Sequence, residues 1–111
     1  MQFSKELLKG TAEIIVLQAL KSQGAQYGYQ LIQTIAKTSE NVFELQEGTL
    51  YPLLYRLEDR GFVTSDEREA PSGKTRRYYT VTKKGTKLLQ EKTVEMGVFV
   101  RGVTQALSLA I

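Results

Sequence analysis

Leu50, Leu53, Leu54 and Leu57 recur at i, i+3, i+4 and i+7, the spacing of one apolar helix face. At about 100° per residue these four lie within an arc of roughly 100°, so Pro52, Tyr55, Arg56 and Asp59 project from the other side with Tyr51 on the flank. Thr49 is the expected N-cap, which places Pro52 in the first turn, where its missing N–H has no partner to lose. Gly61 is the expected stop, after which Phe62 and Val63 turn back into the core. The result is a short helix that carries Tyr, Pro, Tyr and Arg on a leucine base, a shape suited to a groove.

Upstream, Leu7, Leu8, Ile14, Ile15, Val16, Leu17 and Leu20 predict a first helix from Lys5 to about Ser22, apolar on more than one face and capped by Ser4. Gly10 and Thr11 mark an expected break, with Thr11 as a second cap. Residues 23–26 predict a turn. Tyr27-Gly28-Tyr29 opens a second helix with Leu31, Ile32, Ile35 and Ala36 at helical spacing, ending near Thr38 and Ser39. Gly28 suits a close backbone approach or a tight helix entry. Residues 42–45 alternate and predict a short edge strand.

After Gly61 the period changes from 3.6 to 2. Residues 62–68 and 75–81 predict two strands, and Ala70-Pro71-Ser72-Gly73-Lys74 supplies the hairpin tip. Thr82 is the expected N-cap of a last helix from Lys83. Its stripe of Leu89, Met96, Phe99, Val103, Ala106 and Ala110 is widened by Val98, Val100 and Leu107 and interrupted by Lys92. A three-helix domain with a hairpin has no obvious internal place for so long an apolar face. Leu89, Met96, Phe99, Val103 and Leu107 are therefore the expected dimer interface. The predicted fold class is mainly α with a small β-hairpin (α+β). Residues 1–82 form a winged helix-turn-helix, and residues 83–111 form a C-terminal dimerisation helix.

Composition narrows the chemistry. A chain of 111 residues fits one domain. It contains neither cysteine nor histidine, so it has no thiolate, no disulfide framework and no triad of the Ser-His-Asp kind. No catalytic residue, metal ligand or cofactor site stands out, and an enzyme is the remotest class. No apolar run approaches the roughly 20 residues of a membrane span. The opening Met1-Gln2-Phe3-Ser4-Lys5-Glu6 also lacks the layout of a secretory signal, so no membrane association and a cytoplasmic location are expected.

Charge is spread unevenly. Residues 1–60 hold six Lys/Arg against seven Asp/Glu, whereas residues 70–87 hold Lys74, Arg76, Arg77, Lys83, Lys84 and Lys87 with no carboxylate. A block of this kind points to a polyanion. The order of helix, helix, helix, basic hairpin and helix is that of a winged helix-turn-helix. Its third helix would enter a major groove about 12 Å wide, and its wing would set Lys74, Arg76 and Arg77 beside the flanking phosphates or the minor groove. Double-stranded DNA is the expected partner, read by Tyr51, Pro52, Tyr55 and Arg56. A winged-helix module that docks a protein on the tyrosine face is the alternative.

The segments Leu8-Lys9-Gly10-Thr11, Glu13-Ile14-Ile15-Val16-Leu17, Tyr27-Gly28-Tyr29-Gln30-Leu31-Ile32 and Glu47-Gly48-Thr49-Leu50-Tyr51-Pro52-Leu53-Leu54-Tyr55-Arg56-Leu57-Glu58 resemble the PadR family of transcriptional regulators. The match continues from Gly73 through Arg77-Tyr78-Tyr79-Thr80-Val81-Thr82 to Gly85, and it covers residues 5–90 almost without a gap. The resemblance implies a dimeric repressor on a roughly palindromic operator, with the last helix of each subunit packed on the first helix of the other. It also implies DNA contact by Thr49, Tyr51, Pro52 and Tyr55 and by Lys74, Arg76 and Arg77. The single C-terminal helix is similar to that of the smaller PadR subgroup, some members of which hold a flat aromatic effector at the dimer interface on a tryptophan. This chain has no tryptophan, and the nearest counterparts are Met96 and Phe99.

Overall fold

The computed structural model describes residues 3–110; Met1, Gln2 and Ile111, which belong to the expected N-terminal layout and to the outer ends of the two-part division, lie outside the described residues. The first predicted helix is two. α1 (Lys5–Leu8) is capped by Ser4, whose Oγ accepts the Leu7 N–H at 3.2 Å. Gly10 then takes a left-handed φ of 82° and the chain restarts as α2 (Ala12–Gln23). Thr11 holds the N-cap position of α2, but its side chain makes no capping bond, contrary to expectation, because its own backbone is already helical.

Gly24, at φ 79°, turns the chain into β1 (Gln26–Tyr27), and α3 (Gly28–Thr38) follows at once. β1 is an edge strand, and residues 42–45 are not a strand. Two long-range partners decide this. Gln26 and Tyr27 pair with Tyr79 and Tyr78, and the buried Gln26 amide donates to the Ala19 carbonyl at 2.9 Å while its oxygen accepts from Thr34 at 2.6 Å. Residues 42–45 have no ladder partner; the Phe43 N–H bonds Ser39 Oγ at 3.0 Å, and Leu45 drops into the core.

α4 (Glu47–Asp59) is the leucine helix, and it starts earlier than Thr49. Gln46 is the N-cap, and its carbonyl accepts from both Thr49 and Leu50, so Thr49 is the third helical residue. Pro52 is therefore the sixth. It lies past the first turn and leaves the exposed Gly48 carbonyl without its helical donor. Solvent at this surface makes the omission tolerable. The far end closes as expected: Gly61 at φ 81° donates to Glu58 and Phe62 donates to Leu57, a Schellman motif.

β2 (Val63–Glu69) and β3 (Thr75–Val81) pair antiparallel from Val63↔Val81 to Glu69↔Thr75, which gives a three-stranded sheet in the order β1-β3-β2. Thr82 caps α5 (Lys83–Ala106) by accepting the Gly85 N–H at 3.0 Å. One core holds Val16, Leu17 and Leu20 of α2, Leu31 and Ile35 of α3, and the four leucines of α4, with Phe62, Val63, Tyr79 and Leu89. Fully burying a leucine stabilises by about 1.5–3 kcal/mol, so α4 is held chiefly by its inner face. Leu89, expected between subunits, belongs to this internal core instead.

Gly85 meets the core too tightly for any side chain, since a Cβ there would strike the Phe62 carbonyl and lie 2.8 Å from a Val81 methyl. Gly85→Ala is expected to destabilise by about 1–3 kcal/mol. Gly97→Ala, on the same helix with nothing within 4 Å, is expected to stabilise by about 0.5–1 kcal/mol. Denaturant melts of the two variants check the contrast, and equal shifts would remove the close packing of Gly85 from the account.

Candidate nucleic-acid interface

With its leucines inward, α4 turns Thr49, Pro52, Tyr55 and Arg56 to solvent. Tyr55 is 58% exposed, a large aromatic surface to leave in water without use. Tyr51 is half-buried beside it, with ring centroids 6.2 Å apart. Its hydroxyl end lies over Gly28 so closely that a Cβ at position 28 would fall 2.6 Å from the ring carbon that bears the hydroxyl. This is the close approach expected of Gly28. Burial first, then Glu47 and Tyr55, pushes the Tyr51 phenol above its usual range, while Arg76 opposes the shift. Tyr51 therefore keeps its proton and remains a donor.

The hairpin tip is a turn in which Ala70 donates to Lys74 and Gly73 donates to Ala70, with Gly73 at φ 89°. Lys74 and Arg76 are exposed and have no carboxylate within ion-pair distance among the described residues. The Arg76 guanidinium lies 5.9 Å from the Tyr27 ring, which meets Tyr78 edge-on at 5.3 Å. Arg77 is placed differently. It donates to Ser65 Oγ at 3.0 Å and approaches Glu67 at 3.6 Å. On the adjoining strand Arg68 pairs with Asp66 at 2.7 Å.

The basic return strand is therefore laid against an acidic outgoing one, with Asp66, Glu67 and Glu69 on β2. Counting charge over residues 70–87 alone misses that. The Tyr27–Tyr78–Arg76 cluster also went unpredicted, because it requires β1 to join the sheet. Of the residues expected at a nucleic-acid interface, α4 exposes Thr49, Pro52, Tyr55 and Arg56 with Tyr51 at the edge, and the wing frees Lys74 and Arg76. Met96 and Val103 are half-buried on α5, Phe99 and Leu107 are exposed, and Leu89 is internal.

Two helices joined by a turn, the second with a polar-aromatic outer face and followed by a hairpin, define a winged helix-turn-helix. Residues 16–91, more than half of the chain, match the transcriptional regulator PadR-like family, and the protein belongs to it. It is 30% identical to a PadR-like transcriptional regulator from Bacillus cereus, with TM-score 0.77 over 93% of this chain and 97% of that one. A PadR family transcriptional regulator from Eggerthella lenta is 33% identical, with TM-score 0.76 over 95% and 88%. A transcriptional regulator from Clostridium thermocellum reaches TM-score 0.81 at 27% identity over 94% and 97%. The chain is a DNA-binding transcriptional regulator. No described helix is long and apolar enough to cross a membrane.

Gly28→Ala tests whether Tyr51 is held in place from behind. The added methyl meets only the far end of a side chain, so the fold should survive while Tyr51 is displaced. Duplex binding is expected to fall about tenfold, the worth of one misplaced base contact, with little change in Tm. Unchanged binding would show that the position of Tyr51 is immaterial.

Proposed function

We propose that the protein is a dimeric repressor that lays α4 in the major groove of a roughly palindromic operator and sets its wing on the flanking phosphates. The observation that carries this reading is the outer face of α4, where Thr49, Pro52, Tyr55 and Arg56 are exposed and Tyr51 is held at the edge against Gly28. The N-terminal part of such a helix reaches base edges, which assigns readout to Thr49, Tyr51, Pro52 and Tyr55. Arg56, further along, contacts base or backbone. Lys74 and Arg76 are the wing's phosphate ligands, and repression would follow from occupation of the operator.

The dimer reading rests on α5. At 24 residues it is about 36 Å long, yet only Gly85 and Leu89 are buried, and Val94, Val98, Phe99, Val100 and Leu107 lie open. Leu7, 65% exposed, faces the same region, and a groove of about 530 Å³ between α1, α2 and α5 is lined by Leu7, Ile14, Leu17, Leu88, Met96 and Phe99. A second copy's α5 would cover that surface, which makes residues 83–111 the dimerisation element. A flat aromatic effector of the kind known in the smaller subgroup would meet Met96 and Phe99 here. A chain ending at Gln90 keeps Gly85 and Leu89 in the core and is expected to be monomeric by light scattering. A soluble dimer from that chain would sink this assignment.

Selection from a random duplex pool is the direct test. Two like half-sites with centres about 34–36 Å apart, or a multiple of that, are expected. On the selected duplex, Lys74→Ala and Arg76→Ala should each weaken binding to all sequences alike and flatten log K against log[salt] by about 1. If neither variant changed the slope, the wing would not touch the backbone, and docking of a protein partner on the tyrosine face would become the better reading.

A further inference from the structure

Arg77 sits in the basic block but is engaged within the protein. Ser65 donates its single hydroxyl proton to Glu58 Oε2 at 2.6 Å, which leaves its oxygen free to accept from Arg77 at 3.0 Å. The other side of the guanidinium lies 3.6 Å from Glu67, the residue opposite Arg77 in the ladder. A continuous path therefore runs from Glu58 on α4, through Ser65 on β2, to Arg77 on β3. Ser65, Glu67, Arg77 and Tyr79 share one face of the hairpin by their period of 2, and Tyr79 on that face is buried. Residues 66–69 and 71–77 are all exposed, so the hairpin beyond Ser65 projects from the body with little packing to fix its angle.

We infer that Arg77 is a positioning residue, and that the Glu58–Ser65–Arg77 relay holds the wing at a set angle to α4. The inference rests on the reading of α4 and the wing as one DNA interface, because only then does their relative angle matter. The guanidinium here approaches Glu67 directly and is linked to Glu58 through the Ser65 hydroxyl. To reach a phosphate it would have to leave both and present Glu58 and Glu67 to a polyanion. The relay does not act mainly through stability, since partly exposed ion pairs contribute little to folding. What it supplies is direction: side chains from three elements are joined in one path, with the small Ser65 hydroxyl setting where Glu58 and Arg77 meet.

The test is a salt titration of binding to the pool-selected duplex for Ser65→Ala, Glu58→Ala and Arg77→Ala, with Ser65→Thr as the conservative variant. Ser65→Ala and Arg77→Ala should each lower affinity about three- to tenfold, because a wing free to swing holds the binding angle only part of the time, with the salt slope unchanged and Tm little changed. The double variant should be no worse than the weaker binder of the two. Ser65→Thr keeps the hydroxyl and should bind like the parent. Glu58→Ala is the sharpest arm, because it removes negative charge near a polyanion and yet is expected to weaken binding. If Ser65→Ala and Glu58→Ala bound as well as the parent while Arg77→Ala flattened the slope by about 1, Arg77 would be a phosphate ligand and the relay idle. Hydrogen exchange on the free protein decides the relay without DNA: Ser65→Ala should speed exchange across residues 66–77 and Ser65→Thr should not. Unchanged exchange overturns it. A parent protein with no salt-dependent duplex binding would instead sink the DNA reading and leave the relay to that exchange result.

Discussion

The C-terminus of α4 is the joint from which the rest of the molecule hangs. Leu57 is fully buried, Gly61 and Phe62 close the helix, and the Phe62 carbonyl then accepts the Thr82 N–H at 3.1 Å. Thr82 also donates to the Gly61 carbonyl at 2.8 Å, Lys84 donates to the Arg60 carbonyl at 2.7 Å, and Gly85 packs against Phe62. Within a few residues the end of α4, the root of the hairpin and the start of α5 are tied to one another. The leucine face fixes the rotation of α4 about its axis, and this joint fixes where the wing and the last helix leave it. A helix turned by one residue, about 100°, would bury Tyr55 or Arg56 and expose a leucine. The outer face of α4 thus follows from its inner one.

Much of this architecture was legible from local signals. The leucine period, the glycine at position 61, the threonine cap at 82 and the alternation on either side of Gly73 each act within a few residues, and each forms as expected. Local reasoning failed where a distant partner decides. Gln26 and Tyr27 read as a turn in isolation and become a strand because Tyr78 and Tyr79 lie beside them. Residues 42–45 have a strand-like alternation with nothing to pair against. At the start of α4 threonine is the better cap by type, but Gln46 takes the position and its carbonyl serves two donors at once.

The wing shows the same limit in its electrostatics. Along the chain, the basic stretch from Lys74 to Lys87 is separate from the acidic one before it. In the sheet, the register sets Glu67 opposite Arg77, while Arg68, opposite Arg76, pairs with Asp66 on its own strand. Charge that looks additive in sequence is therefore partly cancelled across the ladder, and on the hairpin the cations without a carboxylate partner among the described residues are Lys74 at the tip and Arg76 beside Tyr27. Antiparallel pairing, and not composition, decides which cations remain available to a polyanion.

α5 connects these local facts to the distance between two sites. Its first turns are locked to the body by Gly85 and Leu89, and its remaining length carries open apolar residues from Val94 to Leu107. Exposed apolar side chains on one helix favour burial against a partner, and a closed pair with a two-fold axis satisfies both copies at once. In the proposed dimer, the body moves with α5 because the joint at Phe62 and Thr82 leaves little slack between them. The angle at which two α5 helices cross would then set the separation of the two α4 helices, which must match the spacing of successive major grooves to bind both half-sites. A ligand that altered packing around Met96 or Phe99 would change that separation without touching α4. Control of DNA binding would therefore reside in the last helix, far from the face that meets the duplex.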